Sequence, residues 1–548
     1  MSIIKKLFYR VFQFLLVGVG MTFMPQPSPK LLTGAGSIKK LPAFIKERGI
    51  GKVLIVTDKV LSKMGLLESL FEACDRDGLS YVLYDEAIVN PSIECIEKAY
   101  EMYREHDCQA FIAFGGGSAM DCAKAAAARV ARPKKSISQL GGTLKVRSFK
   151  VPPLFAVPTT AGTGSEATLA AVVTDYSTQH KYAIQDPSLL PRYAVLDPEL
   201  TVGLPPHTTA TTGLDALTHA IEAYTNKFAP RYTRRLSEKA TKLIFENLPK
   251  VYRDGKDLEA RADMQLAALY AGRAFSRACV GYVHAIAHTL GGLYGTPHGL
   301  ANAVILPYVM EDFGSAVHKK LARLADVVGI NGRNDEEKAK AFIAAIKQME
   351  SDMGIPKKID VIKDEDIPKM VRFAMKEGNP LYPVPVIWGR EEFVRTIERI
   401  RSKNSKRAYF ISEKCIGCTL CARNCPVFAI EGKPKERHII NPKRCIECGV
   451  CANMCNVGAI LDADGKVAEK KPKQAWKKPV IDEELCSACS ICVQACGKNC
   501  LRISPPKYKG DIKVHAYLEN EKQCVGCGLC AMRCPLNAIT MKDGEQQA

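Results

Sequence analysis

Tryptophan is almost missing from this chain of 548 residues, with only Trp388 and Trp476, and aromatic residues make up 7% of it. That leaves no stacking platform of the kind carbohydrate- or nucleic-acid-binding chains build. No apolar run is long enough to cross a bilayer. The stretch Val11 to Met24 comes nearest, and Gln13, Gly18 and Gly20 interrupt it. It follows Lys5, Lys6 and Arg10 as the apolar core of a signal peptide would, yet no small-x-small cleavage site appears before Met24-Pro25-Gln26-Pro27. The expectation is a helix that packs on the body or lies at a membrane surface. Arg-rich runs and recognisable nucleic-acid modules are also absent. Nor does any segment read as a flavin site.

What the chain has in quantity is cysteine and positive charge. The net charge is +19, from 77 Lys+Arg against 58 Asp+Glu. Residues 405–548 hold 23 Lys+Arg and 15 Asp+Glu, so +8 sits in the region that also holds most of the 22 cysteines. The spacing Cys-x-x-Cys-x-x-Cys-x-x-x-Cys occurs there four times: Cys415/Cys418/Cys421/Cys425, Cys445/Cys448/Cys451/Cys455, Cys486/Cys489/Cys492/Cys496 and Cys524/Cys527/Cys530/Cys534. Three closely spaced thiolates grip one cubane, and the fourth reaches the neighbouring cluster. The expected sets are Cys415, Cys418, Cys421 with Cys455; Cys445, Cys448, Cys451 with Cys425; Cys486, Cys489, Cys492 with Cys534; and Cys524, Cys527, Cys530 with Cys496. Zinc ribbons would leave half of these cysteines idle. Four [4Fe–4S] clusters of charge about −2 each would balance the basic excess, which argues against nucleic acid as a partner. Pro426 and Pro535 follow their runs, Asn456 and Gly497 replace proline in the others, and Cys500 is a spare. Clusters need reduced thiols, so the expected compartment is the cytoplasm of a cell living with little oxygen.

The rest of the chain alternates. Lys52–Asp58, Phe111–Phe114 and Pro153–Val157 are short β-branched or apolar runs of the buried parallel type. The second empties into Gly115-Gly116-Gly117-Ser118 and a helical pattern, the third into Pro158–Ser165. Past Pro205-Pro206 helical periodicity takes over to about 403. The boundaries expected are an N-terminal helix over 1–29, an α/β domain over 30–204, a helical domain over 205–403, and cysteine-rich units over 405–464 and 481–548. A Lys/Pro linker over 465–480 joins the last two. The charged stretch Arg399–Arg407 closes the body.

Two patterns in the body carry chemistry. Asp215 and His219 share a helix face at i, i+4 in Gly-Leu-Asp-Ala-Leu-Thr-His-Ala-Ile-Glu, and so do His284 and His288 in Val-His-Ala-Ile-Ala-His; His298 follows in Thr-Pro-His-Gly. A lone histidine on an apolar face is usually a satisfied core residue, but this many beside an aspartate suit Fe²⁺ or Zn²⁺. Spacing does not say whether His284 or His288 is the third imidazole. The glycine run offers bare N–H groups at a helix start, where a pyrophosphate is held, and Thr159 and Thr160 line a second loop of the same kind.

Residues 30–403 resemble the iron-containing (group III) alcohol dehydrogenases, which include lactaldehyde reductases and butanol dehydrogenases. The likeness runs through Gly115–Asp121, Pro158–Glu166, Gly213–Glu222 and Gly281–Pro307. Residues 405–548 resemble two tandem bacterial-type ferredoxin domains. The fold class implied is multidomain: an α/β dinucleotide-binding domain, an all-α metal-binding domain with the metal in the cleft between, and two α+β ferredoxin-like domains. The resemblance makes Asp215, His219, His284 and His298 the ligands, with His288 beside the metal in substrate binding or proton relay. It places Asp58, Asn90, Gly116, Gly117, Ser118, Thr159, Thr160 and Lys181 in the coenzyme site. Asp58 at a strand end would accept the ribose 2′-hydroxyl and repel a 2′-phosphate, favouring NAD over NADP. The implied activity is hydride transfer between NAD(H) and a small alcohol or aldehyde, in a homo-oligomer. The tail would serve a redox partner: a flavoprotein, a ferredoxin or an aldehyde–ferredoxin oxidoreductase. A second reading makes the chain a subunit of a larger complex, its tail a wire between partners, and a third makes the clusters structural or oxygen-sensing, with only the dehydrogenase at work.

Overall fold

A computed structural model describes residues 2–20, 28–176, 180–402, 409–441, 444–462, 465–506, 508 and 514–543. Residues 21–27, with Met24-Pro25-Gln26-Pro27, and residues 403–408 of the charged stretch lie outside the described residues. The chain forms two units, Met1–Ser402 and Lys403–Ala548.

The first unit is built on a parallel sheet. Its strands are β1 (Lys30–Thr33), β2 (Lys52–Val56), β3 (Ser80–Tyr84), β4 (Ala110–Gly115), β6 (Leu154–Pro158) and β9 (Tyr193–Leu196), in the order β1-β9-β6-β4-β2-β3. β4 and β6 are buried at every residue, as strands covered on both faces must be. A side sheet of β5 (Gly142–Thr143), β7 (Ala170–Asp175) and β8 (His180–Gln185) lies beyond it. β4 lies on the far side of β2 from β3, so the loops leaving β2 and β4 diverge and open a crevice at their carboxyl ends. β2 runs into helix α2 (Lys59–Lys63) and β4 into α3 (Gly117–Ala131).

Pro205-Pro206 ends the α/β part, Pro206 taking the first turn of α4 (Pro206–Thr225) where its missing N–H costs nothing. α4 is buried from Thr209 almost without interruption. Around it pack α5 (Arg231–Arg253), α6 (Leu258–Ala278) and α8 (His298–Phe313), while α7 (Tyr282–Tyr294) lies against α8 and α9 (Ile367–Gly378). The N-terminal segment is helical over Ile3–Gln13 and continues as a wider π turn over Phe14–Gly20.

The second unit repeats one backbone four times. Each cysteine run carries a one-turn helix: Leu420–Asn424, Val450–Met454, Ile491–Ala495 and Leu529–Arg533. In every run the residue before the second cysteine and the residue after it have positive φ: Gly417 and Thr419, Glu447 and Gly449, Ala488 and Ser490, Gly526 and Gly528. Two-stranded antiparallel ribbons close each half, 410–411 with 460–461, 430–431 with 439–440, 478–481 with 539–542, and 501–503 with 516–518.

The Lys/Pro segment is more than a linker. Its Trp476 is buried with Val450 and Val525, the Trp476 Nε1 donating to Lys471 O at 3.0 Å. Lys478, 5% exposed, donates to the carbonyls of Glu521 and Cys524. Charge and proline suggested a solvated spacer; one tryptophan and one buried lysine make it a packed joint between the halves.

The left-handed positions give a test. Ala488 (φ 52) and Glu447 (φ 54) stand where two runs carry glycine, and a Cβ there costs about 1–2 kcal/mol, less what glycine loses in the unfolded chain. Ala488→Gly should stabilise the cluster-loaded protein by about 0.5–1 kcal/mol, read anaerobically as a higher denaturant midpoint for loss of visible absorbance.

Candidate metal centre, coenzyme loops and thiolate sets

Asp215 and His219 lie one turn apart on α4, and Glu222 continues the same face. His284 enters from the first turn of α7 and His298 is the first residue of α8. Two glycines allow this convergence. A Cβ on Gly281 would sit 2.7 Å from Glu222 Oε1, and one on Gly299 would sit 2.4 Å from Thr211 O, so α7 and α8 start against α4 at a distance no larger residue permits. One ligand atom each from Asp215, His219, His284 and His298 then lies within 4.8 Å of the others.

The hydrogen bonds fix the state of these groups. Glu222 Oε2 accepts from Gly281 N at 2.7 Å and Oε1 from Val283 N at 2.7 Å, while His284 Nδ1 is 2.6 Å from Oε2. Ionised and accepting on both oxygens, Glu222 takes the Nδ1–H of His284, which leaves His284 Nε2 with a lone pair aimed into the group. Burial pushes the Glu222 carboxyl up to about 8, while its N–H donors pull the other way. Burial also lowers His219 and His284, the latter further under the neighbouring imidazoles, so both are neutral. Asn302 Nδ2 lies 2.7 Å from Asp215 Oδ1 and 3.1 Å from Nε2 of both His284 and His298. An amide nitrogen has two hydrogens for these three acceptors. One lone pair is left unmatched, and a set of neutral imidazoles and one carboxylate with spare lone pairs fits a divalent ion of the Fe²⁺ or Zn²⁺ kind.

His288 stands beside this set and outside it. Its ring stacks on His298 at 5.3 Å, and its Nδ1 is 2.7 Å from Glu377 Oε1 on α9. The same oxygen accepts from Tyr382 Oη at 2.7 Å.

The coenzyme candidates gather at the carboxyl ends of β2, β4 and β6. Gly116 caps α3, Gly117 and Ser118 form its first turn, and Thr160 lies against Gly116. Thr159 N donates to Gly115 O at 3.1 Å, tying the two loops together. Asn90 reaches this group through its N–H, 3.4 Å from Ser118 Oγ, and its Oδ1 accepts from Lys181 Nζ at 2.8 Å. Asp58 has a second duty: its Oδ1 accepts from Val60 N and Leu61 N and caps α2.

In the tail, Cys534 joins Cys486, Cys489 and Cys492 around one cavity. Burial raises the thiols of Cys445, Cys448, Cys527 and Cys530, and Cys425 lies close enough to the first two, and Cys496 to the last two, to add to it. The fourth cysteine of each of these runs thus sits with the other run of its half. Cys448 and Cys527 approach each other around Val450, Trp476 and Val525, whereas Cys418 and Cys489 are exposed. Four peptide N–H groups donate to the fourth thiols: Ala429 to Cys425, Ala459 to Cys455, Cys500 to Cys496 and Ala538 to Cys534, at 3.2–3.3 Å. The spare Cys500 therefore holds the small buried place that alanine holds elsewhere.

Comparison with known proteins agrees with this architecture. Residues 28–198 match the family described as iron-containing alcohol dehydrogenase, 209–400 the C-terminal part of the Fe-containing alcohol dehydrogenase family, and 414–459 and 485–538 the 4Fe-4S dicluster domain. Alcohol dehydrogenase 4 of Schizosaccharomyces pombe is 38% identical over 358 residues, 64% of this chain and 84% of that protein. The chain belongs to the iron-containing alcohol dehydrogenase family. The 1,3-propanediol dehydrogenase of Citrobacter freundii is 37% identical, across 68% of this chain and 94% of its own. The sulfoacetaldehyde reductase of Bifidobacterium kashiwanohense, solved in complex with NAD+, superposes with a TM-score of 0.64 at 30% identity, over 69% of this chain and 98% of that one. As an oxidoreductase of this family, the chain is distinguished from these relatives by its iron–sulfur tail.

Three residues of the site escaped the sequence reading. Glu222 was legible as the i+7 partner of Asp215, and Asn302 as the i+4 partner of His298. Glu377 has no such signal, since it meets His288 from a helix 89 positions away. Glu222→Gln should weaken divalent-ion affinity by about 10–100-fold with the protein still folded, measured by competition with a fluorescent chelator.

Proposed function

We propose that the body reduces a small aldehyde, or oxidises the matching alcohol, with NAD(H) as hydride carrier and a divalent ion, Fe²⁺ or Zn²⁺, held by Asp215, His219, His284 and His298. The observation that carries this reading is the mutual approach of those four ligand atoms within 4.8 Å. An ion held there supplies Lewis acidity to the oxygen being reduced or oxidised. His288 is placed to exchange the hydroxyl proton; Glu377 and Tyr382 fix its ring and tautomer, and the half-exposed Glu377 gives the proton a way to water. The Gly116–Ser118 turn and the start of α3 would receive the pyrophosphate, and Thr159, Thr160 and the hydrogen-bonded pair of Asn90 and Lys181 would complete the coenzyme site. Asp58 Oδ2, not used in capping, would accept a ribose 2′-hydroxyl and disfavour a 2′-phosphate.

Sixteen of the tail's seventeen cysteines, all but Cys500, hold four [4Fe–4S] clusters in the crossed sets, each a one-electron carrier. A hydride carries its two electrons together and no flavin segment stands between, so body and tail act as separate redox modules of one chain. The tail serves a one-electron redox protein. Its two halves, joined at Cys448 and Cys527, favour as second reading a wire within a larger complex.

Following the visible spectrum without oxygen separates these ideas. NADH with an aldehyde should be consumed while cluster absorbance near ~400 nm stays unchanged; bleaching by NADH alone would overturn the two-module reading. Chelation should abolish turnover, and unchanged rates would overturn the metal assignment. Glu377→Gln and His288→Gln should each lower kcat by about 100-fold with little change in KM for NADH. Asp58→Asn, which keeps an acceptor for the α2 cap, should raise the kcat/KM ratio of NADPH over NADH by about tenfold.

A further inference from the structure

The segment Ile3–Gly20 is an amphipathic helix mounted inside out. Two of its polar side chains, Arg10 and Gln13, face the protein. Gln13 is fully buried and donates to Pro380 O at 3.0 Å and Tyr382 O at 2.6 Å, while Arg10 donates to Val384 O and Pro385 O at 2.6 Å each. Tyr9 packs on the helical core, and Phe14 meets Phe228 edge-on at 5.6 Å. With that side anchored, the opposite side is apolar and open. Ile4 is 81% exposed, Leu7 and Phe8 64%, Val11 51% and Leu15 59%.

A helix whose only purpose were to cover the body would turn these side chains inward. Water-exposed apolar surface of this continuity marks a contact. The charges point to what it meets. Residues 1–20 contain no Asp or Glu and contain Lys5, Lys6 and Arg10. Lys6 lies beside Glu392 of the body, which leaves Lys5 as the outward cation of the first turn. The Phe14–Phe228 contact brings the other end of the segment beside the exposed Lys227; nearby, burial first and then Arg234, Lys227 and Arg10 push the Lys320 ammonium down to about 8. An apolar face bordered by cations is the pattern of a helix lying in the plane of an anionic lipid surface. A second copy of the chain fits less well, since a two-fold contact between these faces would set the same cations against one another.

We infer that the apolar face of Ile4, Leu7, Phe8, Val11 and Leu15 docks this dehydrogenase on an anionic membrane surface. The helix does not cross the bilayer; among the described residues none is long and apolar enough to do so. It enters the interface by its side chains and holds the enzyme through Arg10 and Gln13.

The test is flotation of the full-length, cluster-loaded protein with phosphatidylcholine vesicles, with and without phosphatidylglycerol. The protein should float with the anionic vesicles and release as salt is raised. Leu7→Glu/Phe8→Glu should bind at least about tenfold more weakly with NADH-dependent aldehyde reduction unchanged, and Lys5→Glu should reduce binding to anionic vesicles only. Failure of the natural chain to float, or equal flotation of the Leu7→Glu/Phe8→Glu variant, would overturn the proposal. So would light scattering showing a vesicle-independent dimer that the double variant breaks, because a second copy would then cover the face.

Discussion

Glu222 is a carboxylate sealed among helices, and the metal centre depends on how it is satisfied. It takes two peptide N–H groups at the start of α7 and the Nδ1–H of His284, which joins α4 to α7 and sets the imidazole in one tautomer. The N-terminus of a helix welcomes negative charge, so the bond that stabilises the buried acid also orients the ligand. Remove the carboxylate and three donors lose their partner together, at a cost that falls on the ligand geometry before it falls on the fold. Asn302 repeats the logic across the centre, bridging Asp215, His284 and His298 with fewer hydrogens than acceptors.

Much of this was readable in the sequence where a local period carried it. Asp215 and His219 at i, i+4 lie on one face of α4, and the Gly-rich loops fall at the ends of buried strands. Four identical cysteine spacings gave four identical backbone turns, down to the sign of φ beside the second cysteine. What spacing could not supply is contact made by the third dimension. His284 and His288 were equivalent by spacing until α4 placed Glu222, and α8 placed Asn302, against His284. Glu377 came from a distant helix with no periodic tie to His288. The Lys/Pro stretch looked solvated because composition does not reveal that Trp476 has a slot between two thiolate loops. The helix at the start looked like one that packs, and it does pack, on its polar side.

Body and tail also solve different problems of charge. The body buries neutral imidazoles with one carboxylate, a set that becomes neutral or positive when it holds a dication. The tail gathers thiolates, and its +8 of formal charge offsets what they bring. Neither strategy would work for the other: lysines around the metal centre would repel the ion, and unpaired thiolates would be too costly to bury.

The joint at Trp476 has a consequence for how charge is felt along the tail. Cys418 and Cys489 face water, where a high dielectric spreads an added electron's field at little cost. Cys448 and Cys527 meet beneath Val450, Trp476 and Val525, where there is less solvent to respond. An added negative charge is therefore harder to accommodate at the centre of the tail than at its wet ends. How much harder is set by how tightly Trp476 keeps water out.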